Sequence, residues 1–367
     1  MNNKTIFVVL LTATILTSSA VAVFAKGHQE EGVAGAVYAM TNDSDDNQVV
    51  VFERDRDGLL SMAETISTQG AGSGGDLNPL ASQGALVLSK DNRWLLAVNA
   101  GSNEISVFRV KRSGLDLVEK VVSGGNFPVS LTVFHNLVYV LNAGASPNIS
   151  GFFLNHRGQL IPQCNATRDL GDGGYAQVGF DPRGNNLVVT DRDDSEILVF
   201  PLDRHGLPAM DPVVSDSIGI APFGFIFDQR GNLLVSEAGS GAVSSYAIRR
   251  HGSLKVISPS VENGQAATCW IAGNEQGYAF TANTGSQTIS AYTVENGKAN
   301  LVLLEAIAGF GNRPIDMNIS VNGRFLYALD PAEETIDMFE IESDGSLTDL
   351  GTVTGGLSIF AQGIAAR

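Results

Sequence analysis

The sequence predicts an all-β fold, a seven-bladed β-propeller in which strands from both chain ends complete one blade. The main observation is a pattern that occurs seven times: an apolar run ends in a polar residue, and an aromatic residue follows nine or ten positions later. The polar residues are Asn42, Asn99, Asn142, Asp191, Glu237, Asn283 and Asp330, and the aromatics are Phe52, Phe108, Phe152, Phe200, Tyr246, Tyr292 and Phe339. Successive aromatics lie 56, 44, 48, 46, 46 and 47 residues apart, a period typical of a four-stranded blade.

Each repeat is predicted to contain short strands rather than helices. Runs such as Trp94–Val98 and Leu137–Leu141 are rich in Val, Leu and aromatic residues, and glycine turns separate them. No repeat contains a 3.6-residue period long enough for two helices, which argues against a helical solenoid.

The two chain ends are predicted to share one blade. The first repeat starts with Ala36–Asn42, which corresponds to the second strand of the other repeats, and the missing first strand corresponds to Ala361–Ala366. This closure hides two strand edges that would otherwise be exposed. We therefore expect a single propeller domain over residues 26–367.

Residues 1–25 are predicted to be a signal peptide. Lys4 precedes the apolar run Ile6–Ile15, and Val23 and Ala25 are small residues at the −3 and −1 positions of a cleavage site. No later stretch approaches the roughly 20 apolar residues of a spanning helix. The sequence therefore predicts a secreted or periplasmic protein that does not insert in the membrane after cleavage.

The charge balance limits the partners. The formal net charge is −16, and it becomes −17 when Lys4 is removed with the signal peptide. Nucleic acids and anionic membranes require basic surfaces, so we expect a small-molecule ligand or substrate and a monomeric protein. Cys164 and Cys269, the only cysteines, are predicted to be unpaired and buried, and we expect no metal and no cofactor.

Blade topology assigns residues to faces. Strand A lines the central channel and strands B, C and D follow outwards, so the B–C loops and D–A connections lie on one face, which we call the upper face. His135 falls in an A–B hairpin, and His156, His205 and His251 fall in C–D hairpins, on the lower face. A histidine relay or zinc site at the upper mouth is therefore not expected.

Polar residues are expected to converge at the upper mouth of the channel, where they would bind a small polar ligand. The predicted substrate-binding residues are Gln83, Asn99, Asn142, Gln177, Trp270, Asn283, Arg313, Asp316 and Asp330. Asp191, Arg192 and Glu237 depart from the Asn pattern and are the candidate catalytic residues. Either carboxylate would act as general base on water, and Arg192 or Arg313 would stabilise an oxyanion. The alternative is that these strand-end residues bind turn backbone.

Gly70–Gly75 fits the G-x-G-x-x-G pattern of dinucleotide-binding proteins, but the required helix and acidic residue do not follow. We expect the Gly/Ser-rich insertion, Thr68–Ser82, to form a loop over the channel mouth.

The repeats resemble the lactonase family of seven-bladed propellers, which includes 6-phosphogluconolactonase-like and carboxymuconate-cyclase-like proteins. The resemblance is carried by Leu95–Phe108, Val138–Gly144 and Thr281–Tyr292, and the stretches Pro222–Phe225, Leu234–Ala238 and Gln265–Trp270 are similar to a secreted branch. It implies a lactone hydrolase with a pocket on the upper face. The family's Pro-His pair at an A-strand opening is missing, because the matching positions read Pro128-Val, Pro222-Phe and Pro314-Ile.

Two functions are compatible with these features. The first is an exported hydrolase of a lactone or related cyclic ester. The second is a non-catalytic propeller that binds a small ligand or a protein, which the missing His and the Gln/Asn-rich mouth favour. The family resemblance favours the enzyme.

Overall fold

Seven antiparallel sheets follow one another along the chain as the blades of a propeller, which confirms the predicted fold class. The computed structural model describes residues 32–75, 78–112, 114–295 and 299–367. Gly32–Arg367 make up one compact unit. In blades 2 to 7 the order of strands in the sheet follows the sequence, so each of these polypeptide segments runs from the channel to the rim.

The strands at each of the four positions belong, in order, to blades 1 to 7. The A strands are Ile364–Ala366, Leu86–Leu88, Pro128–Phe134, Tyr175–Phe180, Pro222–Phe227, Thr268–Gly273 and Ile315–Ile319. The B strands are Gly35–Met40, Trp94–Asn99, Leu137–Asn142, Asn186–Asp191, Leu233–Glu237, Tyr278–Asn283 and Phe325–Asp330. The C strands are Gln48–Arg54, Glu104–Val110, Asn148–Leu154, Glu196–Pro201, Ala242–Ile248, Thr288–Glu295 and Thr335–Ile341. The D strands are Leu60–Ser67, Leu115–Val122, Leu160–Pro162 with Arg168–Asp169, Val213–Asp216, Leu254–Glu262, Asn300–Phe310 and Leu347–Thr354.

The chain ends close the ring as the sequence predicts. Ile364–Ala366 pairs antiparallel with Gly35–Met40, with Ala365 opposite Tyr38. The Arg367 amide also donates to the Ala36 carbonyl at 2.9 Å. Blade 1 is therefore complete only when both ends are in place.

The repeated aromatics form the cores of the blades. All seven lie on C strands, and all are buried. The turn glycines that follow them adopt positive φ values of 76–93° in the six described hairpins, where a side chain would be strained. A Cβ on Gly158 would also lie 2.3 Å from the Trp94 ring of the preceding blade. These hairpins therefore pack tightly only with glycine.

Helical structure in the described part of the chain is limited to the 3₁₀ turn Arg250–Gly252, and no helix there is long and apolar enough to cross a membrane. The predicted signal peptide, residues 1–25, lies outside the described residues. Both cysteines are unpaired, as expected. Cys269 is buried but Cys164 is exposed, so the prediction of burial was wrong for Cys164, which sits between the two short outer strands of blade 3.

Candidate functional site

The central channel contains a cavity of about 400 Å³. It is lined by the A strands of blades 1 to 5 and 7, from residues near their openings down to Phe180 and Phe227 at their ends. Three of the predicted binding residues, Gln83, Gln177 and Asp316, lie together on its wall. The cavity is concave, and its wall combines apolar side chains with polar groups that could orient a small ligand.

The upper end of the channel is filled by side chains. Trp270 is fully buried, and its indole Nε1 donates to the Ser82 carbonyl on the far side of the ring at 2.8 Å. The Phe223 ring packs edge-on against it, with centroids 4.9 Å apart. The buried Leu80, from the insertion, donates its amide to Gln362. The channel cavity therefore lies below this layer, and not at the upper mouth where we expected it.

Gln83 and Gln177 connect blades to one another. The Gln83 amide donates to the Ile271 carbonyl and accepts from the Ile271 amide, both at 3.0 Å. Gln177 makes the same pair of bonds with Phe225, at 3.1 and 2.6 Å. Each side chain thus bonds to the backbone of an A strand in another blade. One amide N–H of each glutamine has no acceptor among the described residues, and it remains usable by a ligand.

Asp316 is an enclosed carboxyl on the cavity wall. It is 3% exposed, and its φ of 48° is unusual for a residue with a Cβ. Burial raises its pKa to about 7, although hydrogen bonds from the Met317, Ile364 and Gly363 amides act in the opposite direction. A carboxyl with such a pKa exchanges protons near neutral pH, which is the property of a general acid or base. Strain and a perturbed pKa together are typical of functional positions.

The asparagines at the ends of B strands lie beneath the D–A connections and bind residues of their own and neighbouring blades. Asn99 accepts from Thr68 at 2.7 Å and donates to Ser106 at 2.8 Å. Asn283 makes the corresponding bonds with Thr268 and Ser290. Asn142 donates to the Asn148 side chain at 3.0 Å. All three asparagines are fully buried, and none of them lines the channel cavity.

Glu237 occupies the same position in blade 5 and is 0% exposed. Its Oε1 accepts from Ser244 at 2.5 Å and from the Gly219 amide at 2.9 Å. Its Oε2 accepts from Ser260 at 2.5 Å. The carboxylate is thus bound on both oxygens by groups of its own blade and of the connection that enters it.

Asp191 and Arg192 bind the backbone of the connection that leads into blade 4. Asp191 Oδ1 accepts from the Gly174 and Asp193 amides at 2.9 and 3.1 Å, and burial raises the pKa of this carboxyl. The Arg192 Nε donates to the Gly174 carbonyl at 2.8 Å, and its guanidinium carbon lies 5.7 Å from the centroid of the Phe223 ring. Asp191 and Glu237 share no hydrogen-bond partner among the described residues, and neither lines the channel cavity.

Asp330 faces a second carboxyl in blade 7. Its Oδ2 accepts from the Asn312 and Arg313 amides, whereas Oδ1 is buried without a partner among the described residues. Asp337 Oδ2 is also buried and unpartnered within those residues. Burial, followed by the Asp330 charge, raises the pKa of Asp337 to about 7. The Arg313 side chain is exposed on the upper face.

The histidines lie where the repeat pattern places them. His135 is in an A–B hairpin, and His156, His205 and His251 are in C–D hairpins, all on the lower face. His28 lies outside the described residues. Within the described ranges, no group of three or more His, Cys, Asp or Glu side chains could hold a metal ion.

Several cavity residues were not predicted from the sequence. Thr132, Asn318 and Phe227 line the lower half of the channel, and Asn318 lies two positions after Asp316 on the same strand. Residues two apart on a strand point to the same side, so the openings of the A strands already contained this information. The predicted binding residues include only the first positions of these strands, which is why the lower half was missed.

Comparison with known proteins identifies the family. Residues 37–171 and 262–358, more than half of the chain, match the family model described as lactonase, 7-bladed beta-propeller. The 6-phosphogluconolactonase of Buchnera aphidicola subsp. Acyrthosiphon pisum is 24% identical over 261 residues, 67% of this chain and 76% of that protein. The structure of the periplasmic gluconolactonase of Pseudomonas aeruginosa has 16% identity and a TM-score of 0.69, and the match covers 90% of this chain and 98% of that one. A protein from Lactobacillus plantarum has 16% identity and a TM-score of 0.71, with coverage of 89% and 98%. The chain therefore belongs to the lactonase family of seven-bladed β-propellers.

Proposed function

We propose that the protein hydrolyses a lactone or related cyclic ester in the channel cavity, with Asp316 as the general base. The observation that carries this proposal is the enclosed Asp316 carboxyl on the cavity wall, with its pKa raised to about 7. Family membership supports the reaction class, and the Buchnera relative is named a 6-phosphogluconolactonase.

The reaction starts with proton transfer from water to the ionised Asp316 carboxylate. The hydroxide oxygen adds to the lactone carbonyl carbon, and the carbonyl oxygen becomes an oxyanion. Collapse of this intermediate breaks the ring C–O bond, and the departing alkoxide takes the proton from Asp316. The product is a hydroxy acid, and Asp316 is ionised again.

The oxyanion requires donors that point into the cavity. The second amide hydrogens of Gln83 and Gln177 are suited to this role, because the first hydrogens already fix each side chain against a neighbouring strand. Asn318 lines the same cavity and supplies a further amide. Preorganised amides of this kind contribute about 2.7–4 kcal/mol each to catalysis where they contact the oxyanion.

A second candidate function is binding of a small ligand without turnover. It is favoured by the state of Asp191 and Glu237, whose carboxylates are bound to backbone amides and serine hydroxyls. A catalytic role for Asp191, Arg192 and Glu237 at the upper mouth remains a separate prediction.

The test is a panel of γ- and δ-lactones, with hydrolysis followed by acid release. The wild-type protein is expected to turn over at least one compound, and Asp316→Asn to lower kcat by at least about a hundredfold, because general bases contribute 10²–10⁴-fold. The wild-type kcat/KM should rise with pH and level off above about 7, as Asp316 ionises.

Asp191→Asn/Glu237→Gln is the matched control, and we expect its activity to stay within about threefold of wild type. A large loss of activity in this variant, together with an active Asp316→Asn variant, would place the catalytic site at the upper end of the channel. A compound that raises the Tm and is never hydrolysed would favour the binding function.

We also propose that the protein is exported, as a monomer that binds a small molecule. The charge and apolar pattern of residues 1–25 supports export, and the Pseudomonas neighbour is described as periplasmic. N-terminal sequencing of the mature protein should start near Lys26, and size-exclusion chromatography should give one chain per particle. A cytoplasmic, uncleaved chain would contradict export.

A further inference from the structure

A second cavity, of about 420 Å³, lies on the lower face between blades 4 and 5. It is formed by the A–B hairpins of both blades and by the C–D hairpin of blade 5, and it shares no lining residue with the channel cavity. Its basic residues are Arg183, Arg230, Arg249, Arg250 and His251. We call it the arginine groove.

The groove concentrates positive charge in a chain whose formal net charge is −16. Within the described residues, no ion pair involves Arg183, Arg249 or Arg250. The one carboxylate of the lining, Asp181, is used by its own hairpin: it accepts from the Arg183 and Asn185 amides and from the Asn186 side chain. Clustered like charges repel one another, so this arrangement costs stability unless an anion offsets it.

The C–D hairpin of blade 5 differs from those of blades 1, 3 and 4. In blades 1, 3 and 4 the hairpin begins with Asp55, Asn155 and Asp203, and each Oδ1 accepts two amides of the turn. Blade 5 has Arg249 at this position, and its turn is closed by backbone bonds to Ser253 and Gly252.

The same hairpin holds His251 at a φ of 71°, in the left-handed region that residues with a Cβ seldom occupy. The hairpin therefore lacks the capping side chain of blades 1, 3 and 4, and it has three consecutive basic residues that line the groove. Loss of a local stabilising feature at a strained, exposed turn is typical of a site shaped for a ligand.

Guanidinium groups bind phosphate oxygens through two parallel hydrogen bonds, a geometry that lysine does not offer. We propose that the arginine groove binds a small molecule that carries two or more phosphate groups. Several arginines from three hairpins match several anionic groups, and the volume admits a compact ligand. The site is independent of the lactone hydrolysis proposed for the channel cavity.

Isothermal titration of the purified protein with inorganic pyrophosphate at low ionic strength tests this proposal. The wild-type protein should bind pyrophosphate, and Arg249→Ala/Arg250→Ala should raise the Kd by at least about tenfold. Each charge-assisted hydrogen bond contributes more to the binding free energy than a neutral one. The matched control is Arg56→Ala/Arg157→Ala, which removes the same charge from exposed positions in the C–D hairpins of blades 1 and 3.

We expect the control pair to bind within about twofold of wild type, and Arg249→Lys/Arg250→Lys to fall between wild type and the alanine pair. Because the substituted side chains are exposed, thermal unfolding should be nearly unchanged in all variants. No binding by the wild type at millimolar pyrophosphate would overturn the proposal. Equal losses in the two alanine pairs would overturn it as well, since they would show only a general effect of charge.

Discussion

The two ends of the central channel are built from the same A strands but differ in what fills them. At the upper end Trp270 and Phe223, from the adjacent blades 6 and 5, pack against each other, and insertion residues Leu80 and Ser82 bond to the layer. In the lower half the strands leave a cavity of about 400 Å³, with Asp316 on its wall. One end therefore stabilises the ring, and the other leaves space for a ligand.

The difference shows that a ring of polar side chains need not be a binding site. Most strand-end residues at the upper face are bonded within their own blade and to the connections above them: residues seven apart, such as Asn99 and Ser106 or Glu237 and Ser244, bind through their side chains. Asn142 Oδ1 and Asp330 Oδ1 are exceptions, since neither has a partner among the described residues. A buried polar group that is fully bonded has little left to offer a substrate. Asp316 differs because it faces a cavity and its carboxyl has a pKa raised to about 7.

The largest expected effect on stability is at the filled end. Trp270→Ala removes a fully buried ring and its bond to Ser82, and should lower the free energy of unfolding by about 3–5 kcal/mol. Phe227→Ala, at the half-buried lower end of the channel, should lower it by about 1 kcal/mol. Denaturant unfolding measures both values, and equal losses would remove the distinction between the two ends.

A smaller effect is expected at Glu237. Glu237→Gln should lower the free energy of unfolding by about 1–2 kcal/mol, because one acceptor oxygen facing Ser260 becomes a donor. Lactone turnover should stay within about threefold of wild type. Ser260→Ala, which leaves that oxygen without its donor, should cost a similar amount. A variant that is stable but inactive would show that Glu237 acts on substrate after all.

The carboxyl pair of blade 7 predicts that the stability of the fold depends on pH. The folded-state pKa of Asp337, about 7, lies above its usual 3.8, so the folded state holds the proton more tightly than the unfolded state does. Stability should therefore fall as the pH rises from about 4 to about 7. Asp337→Ser, which restores the serine found in blades 2, 5 and 6, should be more stable than wild type at pH 8 and should show less of this fall.

Asp316 contributes a fall in the same direction, so the pH dependence should not vanish in Asp337→Ser. Asp349→Ser is the control, because it removes an exposed carboxylate that also raises the pKa of Asp337. Its gain in stability at pH 8 should be clearly smaller than that of Asp337→Ser. The reverse order would show that burial is not the main cause of the raised pKa of Asp337.

The smallest effect is expected for Arg192→Ala. The guanidinium lies over the Phe223 ring and bonds to the Gly174 carbonyl, so its loss should cost about 0.5–1 kcal/mol. Turnover should be unchanged if the upper end is structural. A large loss of activity in this variant, at wild-type stability, would restore the predicted catalytic role of Arg192.

The fold was predictable because each blade repeats the same short sequence pattern. The seven aromatics lie on C strands, and six of the seven strand-end polar residues are the last residue of a B strand. The exception is Asn42, which follows its strand by two positions and binds Ser73 of the insertion. The candidate site was less predictable, since the sequence pattern does not distinguish Asp316 from the other eight predicted binding residues.

Period, composition and chain-end matching determined the number of blades, the closure of the ring and the face on which each hairpin lies, because each follows from the recurrence of one short sequence pattern. The state of the channel depends on contacts between residues far apart in the chain, such as Trp270 with Ser82 and Gln83 with Ile271. Only the tertiary structure could decide that the upper end is filled and that Asn99, Asn283 and Glu237 are engaged in hydrogen bonds. It alone could also show that burial raises the pKa of Asp316 to about 7. Burial and hydrogen bonding are properties of the packed ring, not of the local sequence.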